Sequence, residues 1–369
     1  MINEYLEQAR TCSAGAGMAP PTADGLRDVL DQEGMRPDTF RWLIQSDDAV
    51  LLEQMAERSR DLTDRYFGRA ILLYAPLYIS NYCTNHCRYC GYSMANKHMP
   101  RKQLTGAQID DEMAVLKGMG FDSILILTGG DKSAAPVEYI GRSIETARKY
   151  FAEILVEVYA MTEEEYGRLV AKGLTGVTIY QETYNERLYR QLHPAGEKRD
   201  FHFRLSAPER ALKAGVKAIN IGALLGLGDP AEDVFMAAMH AGYLMDRYPD
   251  AEVSLSVPRL RPAAGAFKPA VAVGDAELVR YILALRLFLP RVGISLSTRE
   301  SAYMRDNLIG LGITRMSAGS RTTVGGYGET AATAGQFEVA DTRTTDQVGQ
   351  SIRARGYRPE FTNWVRGLP

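Results

Sequence analysis

Eight short runs rich in aliphatic and β-branched residues punctuate this chain: "ILLYAPLYI", "FDSILILT", "AEILVEVYA", "GVTIYQ", "VKAINIGAL", "AEVSLSVP", "VGISLS" and "ITRMSA". Segments with helical periodicity separate them. "LTGAQIDDEMAVLKGMG" opens at a Thr105 cap, carries Ile109, Met113 and Leu116 on one face, and stops at Gly120. "TEEEYGRLVAKG" sets acids in its first turn and Lys172 in its last, before Gly173, which suits the helix dipole. "DAELVRYILALRLFLP" and "SAYMRDNLIGLG" repeat the pattern. Strands alternating with helices of about 10–15 residues imply parallel βαβ units. Eight such units, with strands apolar enough to be buried on both faces, predict an α/β fold of the TIM-type (β/α)8 barrel, complete or partly open. The competing arrangement is a doubly wound open sheet. In both, function belongs at the C-terminal ends of the strands.

A length of 369 residues would suggest two domains at about 150 residues each, but such barrels often use 250 residues or more as one. Residues 1–69 read as an N-terminal helical extension with a loop at "SAGAGMAPPTADG". Residues 70–369 read as the barrel with a C-terminal helical tail. The net charge of −2, with acids and bases mixed, leaves no nucleic-acid footprint. No apolar run reaches the roughly 18 residues of a membrane span, and the polar N-terminus lacks a secretory core. The expectation is a cytoplasmic protein without nucleic-acid or membrane partners.

Unusual polar residues and glycines gather just past the runs, in "SNYC", "TGGD", "YQETY", "GLGD", "PRLRP", "STRES" and "AGSRTTVGGY". The first end leads into "NYCTNHCRYCGYS", which holds three of the four cysteines, Cys83, Cys87 and Cys90. Cys12 stands alone in a Gly/Ala-rich stretch read as a loop. So tight a cluster cannot staple distant segments, which points to metal or redox chemistry rather than disulfides. Structural zinc would need a fourth ligand from His86 or His98, and His86 adjoins Cys87 too closely for ordinary finger spacing. A [4Fe–4S] cluster held by three thiolates would keep one iron open to an external chelating ligand.

The Cys-x3-Cys-x2-Cys spacing, with Tyr89 before the third cysteine and directly after the first barrel strand, resembles the radical S-adenosylmethionine (SAM) superfamily. The resemblance implies a [4Fe–4S] cluster on Cys83, Cys87 and Cys90, with SAM on the open iron. Reductive cleavage of SAM then yields a 5′-deoxyadenosyl radical. "TGGD" resembles the glycine-rich motif that meets the SAM amino group, assigning Thr128, Gly129 and Gly130. By the same likeness Glu182 binds the ribose hydroxyls, Ala223 and Leu224 lie against adenine, and Arg210 pairs with the SAM carboxylate or is a solvated helix arginine.

The likeness extends over roughly residues 65–366. "LYAPLYISNYC", "NKHMPRKQLT", "YQETYNERLYRQLHP", "SVPRLRP", "LSTRES" and "SAGSRTTVGGY" resemble the aromatic amino acid lyases of that superfamily. It implies L-tyrosine as substrate, cleavage of Cα–Cβ to 2-iminoacetate and p-cresol, and a reducing flavodoxin or ferredoxin as electron source. It also implies a thiazole synthase as consumer of the product. A bidentate guanidinium suits the substrate carboxylate: Arg299 first, then Arg259 and Arg261, with Ser297, Thr298 and Tyr78 as further contacts. "PRLRP" also reads as a rigid strand exit with a structural arginine, and Arg321 has a similar alternative. The segment after "GQFEVADTRTT" has no cysteine, unlike the hydrogenase-maturing tyrosine lyases with their second cluster, and so resembles the thiamin-pathway branch. The alternatives are tryptophan or another aromatic amino acid as substrate, a tyrosine lyase of the hydrogenase-maturing kind without CO and cyanide formation, or a non-catalytic iron–sulfur or zinc regulator, whose basic stripe is missing.

Overall fold

The computed structural model describes residues 2–14, 30, 34–261, 267–328 and 335–363. Each of the eight runs becomes a strand: β1 Ala70–Ser80, β2 Ser123–Thr128, β3 Glu153–Glu157, β4 Gly176–Thr178, β5 Ala218–Gly222, β6 Glu252–Ser256, β7 Gly293–Leu296 and β8 Arg315–Ser317. Neighbours pair in parallel in chain order, and β1 pairs with both β2 and β8, so the sheet closes. Closure excludes the doubly wound arrangement. A ninth strand, β9 (Arg358–Glu360), has no counterpart among the eight runs. It pairs with the start of β1, where Leu72 faces Arg315 on one side and Glu360 on the other.

The helices start where the caps predicted. Thr105 and Gln108 form a reciprocal capping box on the helix Gly106–Gly118, and Thr162 and Glu165 do the same on Glu163–Ala171. Each such cap is worth about 1 kcal/mol. Before the barrel, helices Pro37–Gln45 and Ala49–Phe67 join the same hydrophobic core, with Phe40 stacked on Phe288 at 4.5 Å. Cys12 falls within the helix Ile2–Ala14 rather than a loop. Its side chain, and most of the expected loop after it, lie outside the described residues. Among the described residues no helix is long and apolar enough to cross a membrane.

The barrel interior is less apolar than the strands suggested. Every second residue of a strand faces inward, and on β3, β6 and β8 that parity selects charged groups at the bottom. Arg315 Nη2 donates to Glu153 Oε1 at 3.1 Å and to Glu252 Oε1 at 3.4 Å, while Asn363 bridges both carboxylates. Ser123 donates to Glu153 as well. This ionic floor closes one end of the barrel. The other end opens into two connected cavities.

Candidate active site

The cysteine stretch leaves β1 as an irregular loop, and its shape is imposed by partners on three sides. Gly129 N donates to Ser80 O, and Thr84 N donates to Gly130 O, tying the loop to the turn after β2. A Cβ on Gly129 would sit 2.2 Å from Tyr82 O, so only glycine permits this approach. His86 N and Arg88 N donate to Ala195 O and Leu192 O, and Asn85 accepts from Lys198 N. Arg101 clamps the base of the loop, its guanidinium donating to the carbonyls of Asn81, Tyr92 and Ser93.

All three thiols line the outer cavity, together with Thr128, Gly129, Gly130, Glu182 and Leu224. Neither His86 nor His98 lines it. Among the described residues no three His, Cys, Asp or Glu side chains gather tightly enough to hold a single metal ion. The thiols are instead spread around a common space, which suits a multi-iron cluster whose ligands bind different irons. Burial pushes the Cys87 thiol up to about 12 and raises Cys90 as well, so stable thiolates there call for a cationic group in contact. Amide donors already approach two of the sulfurs: Asn85 Nδ2 is 3.8 Å from Cys83 Sγ, and Gln336 Nε2 is 3.7 Å from Cys90 Sγ. Thr128 Oγ1 is buried with no hydrogen-bond partner among the described residues, as expected of a group awaiting a ligand. These donors fit an iron–sulfur cluster and a polar ligand beside it.

Glu182 is the one described non-glycine residue at positive φ (73°). Strain of this kind persists where surroundings impose it. Here Leu224 N donates to Glu182 O at 2.8 Å, and Lys198 Nζ reaches Oε1 at 2.5 Å, with Arg204 at 3.6 Å. Burial works against its ionisation, but Lys198 and then Arg204 outweigh it and hold the carboxyl below its ordinary range. Tyr89 lines the outer cavity, and its hydroxyl is committed to His193 Nε2 at 2.7 Å. His193 Nδ1 lies 2.8 Å from Tyr189 O, a carbonyl that can only accept, so the buried neutral imidazole accepts from Tyr89.

Two positions differ from expectation. Arg210 does not line the cavity: it donates to Met161 O, Ser206 Oγ and Phe203 O, and packs over the Phe203 ring. Arg204 and Lys198, from the helical insertion between β4 and β5, line the cavity instead. Ala223 does not line the cavity and bridges to Glu182, leaving Leu224, also buried, as the member of that pair that lines it.

The inner cavity descends into the barrel and is lined by Tyr74, Tyr78, Leu125, Leu127, Ile294, Leu296, Ser297 and Thr298. Six residues border both cavities: Glu157, Tyr180, Pro258, Arg299, Gln336 and Phe337. The three arginines separate here. Arg259 lines neither cavity and pairs with Glu300 through two nitrogens and with Asp275 at 2.7 Å. Arg261 lines the outer cavity and donates Nε to Arg299 O. The Arg299 guanidinium lies over the Phe337 ring at 3.4 Å and makes no hydrogen bond or ion pair with a described residue. Arg321 is exposed and borders neither cavity.

Gln336 and Phe337 went unnoticed in the sequence because they lie on no strand end. Asp341, paired with buried Arg305, and Ala340 N, donating to Thr298 O, pin their segment across the mouth. There Gln336 accepts from the Tyr78 hydroxyl at 2.8 Å and comes so near Gly91 that a Cβ would meet Gln336 O at 2.6 Å.

Comparison with known proteins agrees with this geometry. The Radical SAM superfamily model matches residues 77–239, and the Biotin and Thiamin Synthesis associated domain model matches 256–358. Over 344 residues the chain is 38% identical to 2-iminoacetate synthase of Escherichia coli (strain K12), covering 93% of this chain and 91% of that one. The chain belongs to the 2-iminoacetate synthase family of radical SAM enzymes. The enzyme uses a [4Fe–4S] cluster and SAM. The solved structure of HydG, a maturase of the [FeFe]-hydrogenase, superposes with a TM-score of 0.88 at 32% identity, covering 98% of this chain and 80% of that one. HydG from Carboxydothermus hydrogenoformans gives 0.87 at 30% identity, covering 99% and 85%.

Proposed function

We propose that this radical SAM enzyme cleaves the Cα–Cβ bond of L-tyrosine, giving 2-iminoacetate and p-cresol. The observation that carries the reading is the Arg299 guanidinium, uncommitted among the described residues, at the junction of a thiol-lined cavity and a barrel interior lined by tyrosines and aliphatic side chains. In this reading Cys83, Cys87 and Cys90 hold the cluster. Thr128, Gly129, Gly130, Glu182 and Leu224 receive SAM, with Lys198 and Arg204 as cationic neighbours. Bound together, the cluster and SAM supply hydrogen-atom abstraction. Arg299 holds the substrate carboxylate, a task for which a planar fork of donors is suited. Tyr78, Ser297 and Thr298 border the space left for the phenol ring, and Phe337 backs the arginine. Gln336 ties the two halves together through Tyr78 on one side and the Cys90 sulfur on the other.

The same reading assigns a reducing flavodoxin or ferredoxin as electron donor, a thiazole synthase as consumer of the product, and a cytoplasmic setting. The 38% identity to a 2-iminoacetate synthase supports the substrate assignment. Anaerobically reconstituted protein incubated with SAM, dithionite and tyrosine should release p-cresol and 5′-deoxyadenosine together. Accumulation of 5′-deoxyadenosine on tryptophan, with no p-cresol from tyrosine, would overturn it.

A further inference from the structure

Five carboxylates line the joined cavities: Glu197 pairs with Lys132, Asp200 accepts from Phe203 N and Glu300 holds Arg259, while Glu182 and Glu157 differ in how they are neutralised. Glu182 is matched by Lys198 and Arg204. Glu157, the last residue of β3, borders both cavities and makes no side-chain hydrogen bond or ion pair with a described residue. Its parity on the strand is that of Glu153, so it faces into the barrel, level with Leu127 of β2 and through it with Tyr78 of β1. A carboxylate this withdrawn from solvent, half-buried and without a partner, is costly. Arg299 stands on the other side of the same junction, equally without a carboxylate partner. An opposed anion and cation, each uncommitted and too far apart to pair, make a template for a zwitterion.

We infer that Glu157 receives the α-ammonium of the amino acid substrate and takes one proton from it. One N–H bond breaks with its electron pair left on nitrogen, and the proton forms an O–H bond on Glu157. The nitrogen is then a neutral amine with two N–H bonds, open to the outer cavity. Removing a hydrogen atom from an ammonium would leave an electron-poor cation, whereas the neutral amine yields it at lower cost. With Arg299 holding the carboxylate, both charged groups of the substrate are fixed at one level, and its side chain is directed into the inner cavity. This assignment rests on the amino acid lyase reading.

The electrostatic surroundings suit a proton acceptor. Burial raises the Glu157 carboxyl to about 7, with the Glu182 charge adding to it and Arg299, Lys198 and Arg204 opposing. Tyr78, Tyr180 and Tyr74 are the other titratable groups that face it, and all are held neutral by burial. A carboxylate raised this far is a stronger base than an ordinary glutamate, yet still ionised above neutrality.

The test is binding by the full-length, anaerobically reconstituted protein with SAM present, measured by calorimetry for Glu157→Gln and wild type. L-tyrosine is compared with 3-(4-hydroxyphenyl)propionate, which lacks the ammonium, and with tyramine, which lacks the carboxylate. Wild type should prefer tyrosine to the propionate by about tenfold or more, the worth of one charge-assisted hydrogen bond. Glu157→Gln should lose that preference while keeping the one for tyrosine over tyramine, with iron content unchanged. Tyrosine-dependent 5′-deoxyadenosine formation in wild type should rise as pH passes through about 7, and the variant should lose that rise. Retention of the tyrosine-over-propionate preference by Glu157→Gln overturns this inference alone. Failure of wild type to bind tyrosine overturns both it and the lyase reading.

Discussion

Three arginines follow β6 and β7, and their neighbours alone distinguish them. Arg259 is spent on Glu300 and Asp275, Arg261 touches the backbone of Arg299, and Arg299 is free to meet a ligand. The family resemblance and the strand-end motifs nominated all three from the sequence, with Arg299 first. They could not reveal that Glu300, next to Arg299 in the chain, is taken up by Arg259. Replacing Arg299 by Lys keeps the charge but removes the fork. We expect the apparent affinity for tyrosine to fall roughly ten- to hundredfold, read as a rise in KM or a loss of calorimetric signal. Arg259→Lys should instead lower the melting temperature and leave tyrosine binding close to wild type. The opposite pattern would exchange their roles.

β3 shows how much one strand can hide. Its run "AEILVEVYA" reads as apolar with two stray acids, yet the period of two sends both acids inward, Glu153 to the floor and Glu157 to the mouth. A carboxylate at the C-terminal end of a barrel strand was a usable signal for Glu157, lost among the surrounding aliphatics. The floor is a load of charge out of water, and its partners are what make it tolerable. Glu153→Gln would leave the buried Arg315 guanidinium with Glu252 as its remaining carboxylate among the described residues, costing at most about 3 kcal/mol and lowering the thermal midpoint accordingly. Burial alone would raise the Glu153 carboxyl, but Arg315, Ser123 and Asn363 overcome this and hold it below its ordinary value. Its stabilisation is therefore present above the unfolded-state value and lost as pH falls through the folded one. Wild type should lose stability in acid through that window, and the variant should show a flatter profile. The capped helices around the barrel were far more legible, since a capping box is a contact between residues three apart.

Assembly of the cluster draws on segments from the length of the chain: the loop after β1, the turn after β2, the insertion before β5 and the segment at 335–337. Chemical analysis of anaerobically reconstituted protein should find about four irons and four sulfides per chain, the content of one such cluster. Changing Cys83, Cys87 or Cys90 to Ala should abolish assembly, while Cys12→Ala should leave it intact. Retained SAM cleavage in any of the three would refute the ligand assignment. The order of strands and helices, the cysteine loop at the first strand end and the glycine turn at the second were all legible along the chain. They depend on contacts between near neighbours or on periodicity, which a linear pattern carries. Closure of the barrel decided the rest. It brought Lys198 and Arg204 in place of Arg210, laid Gln336 and Phe337 across the mouth, and left Glu157 and Arg299 facing each other unpaired. Those outcomes depend on which distant groups neutralise one another in a confined space of low dielectric, and no local pattern encodes that.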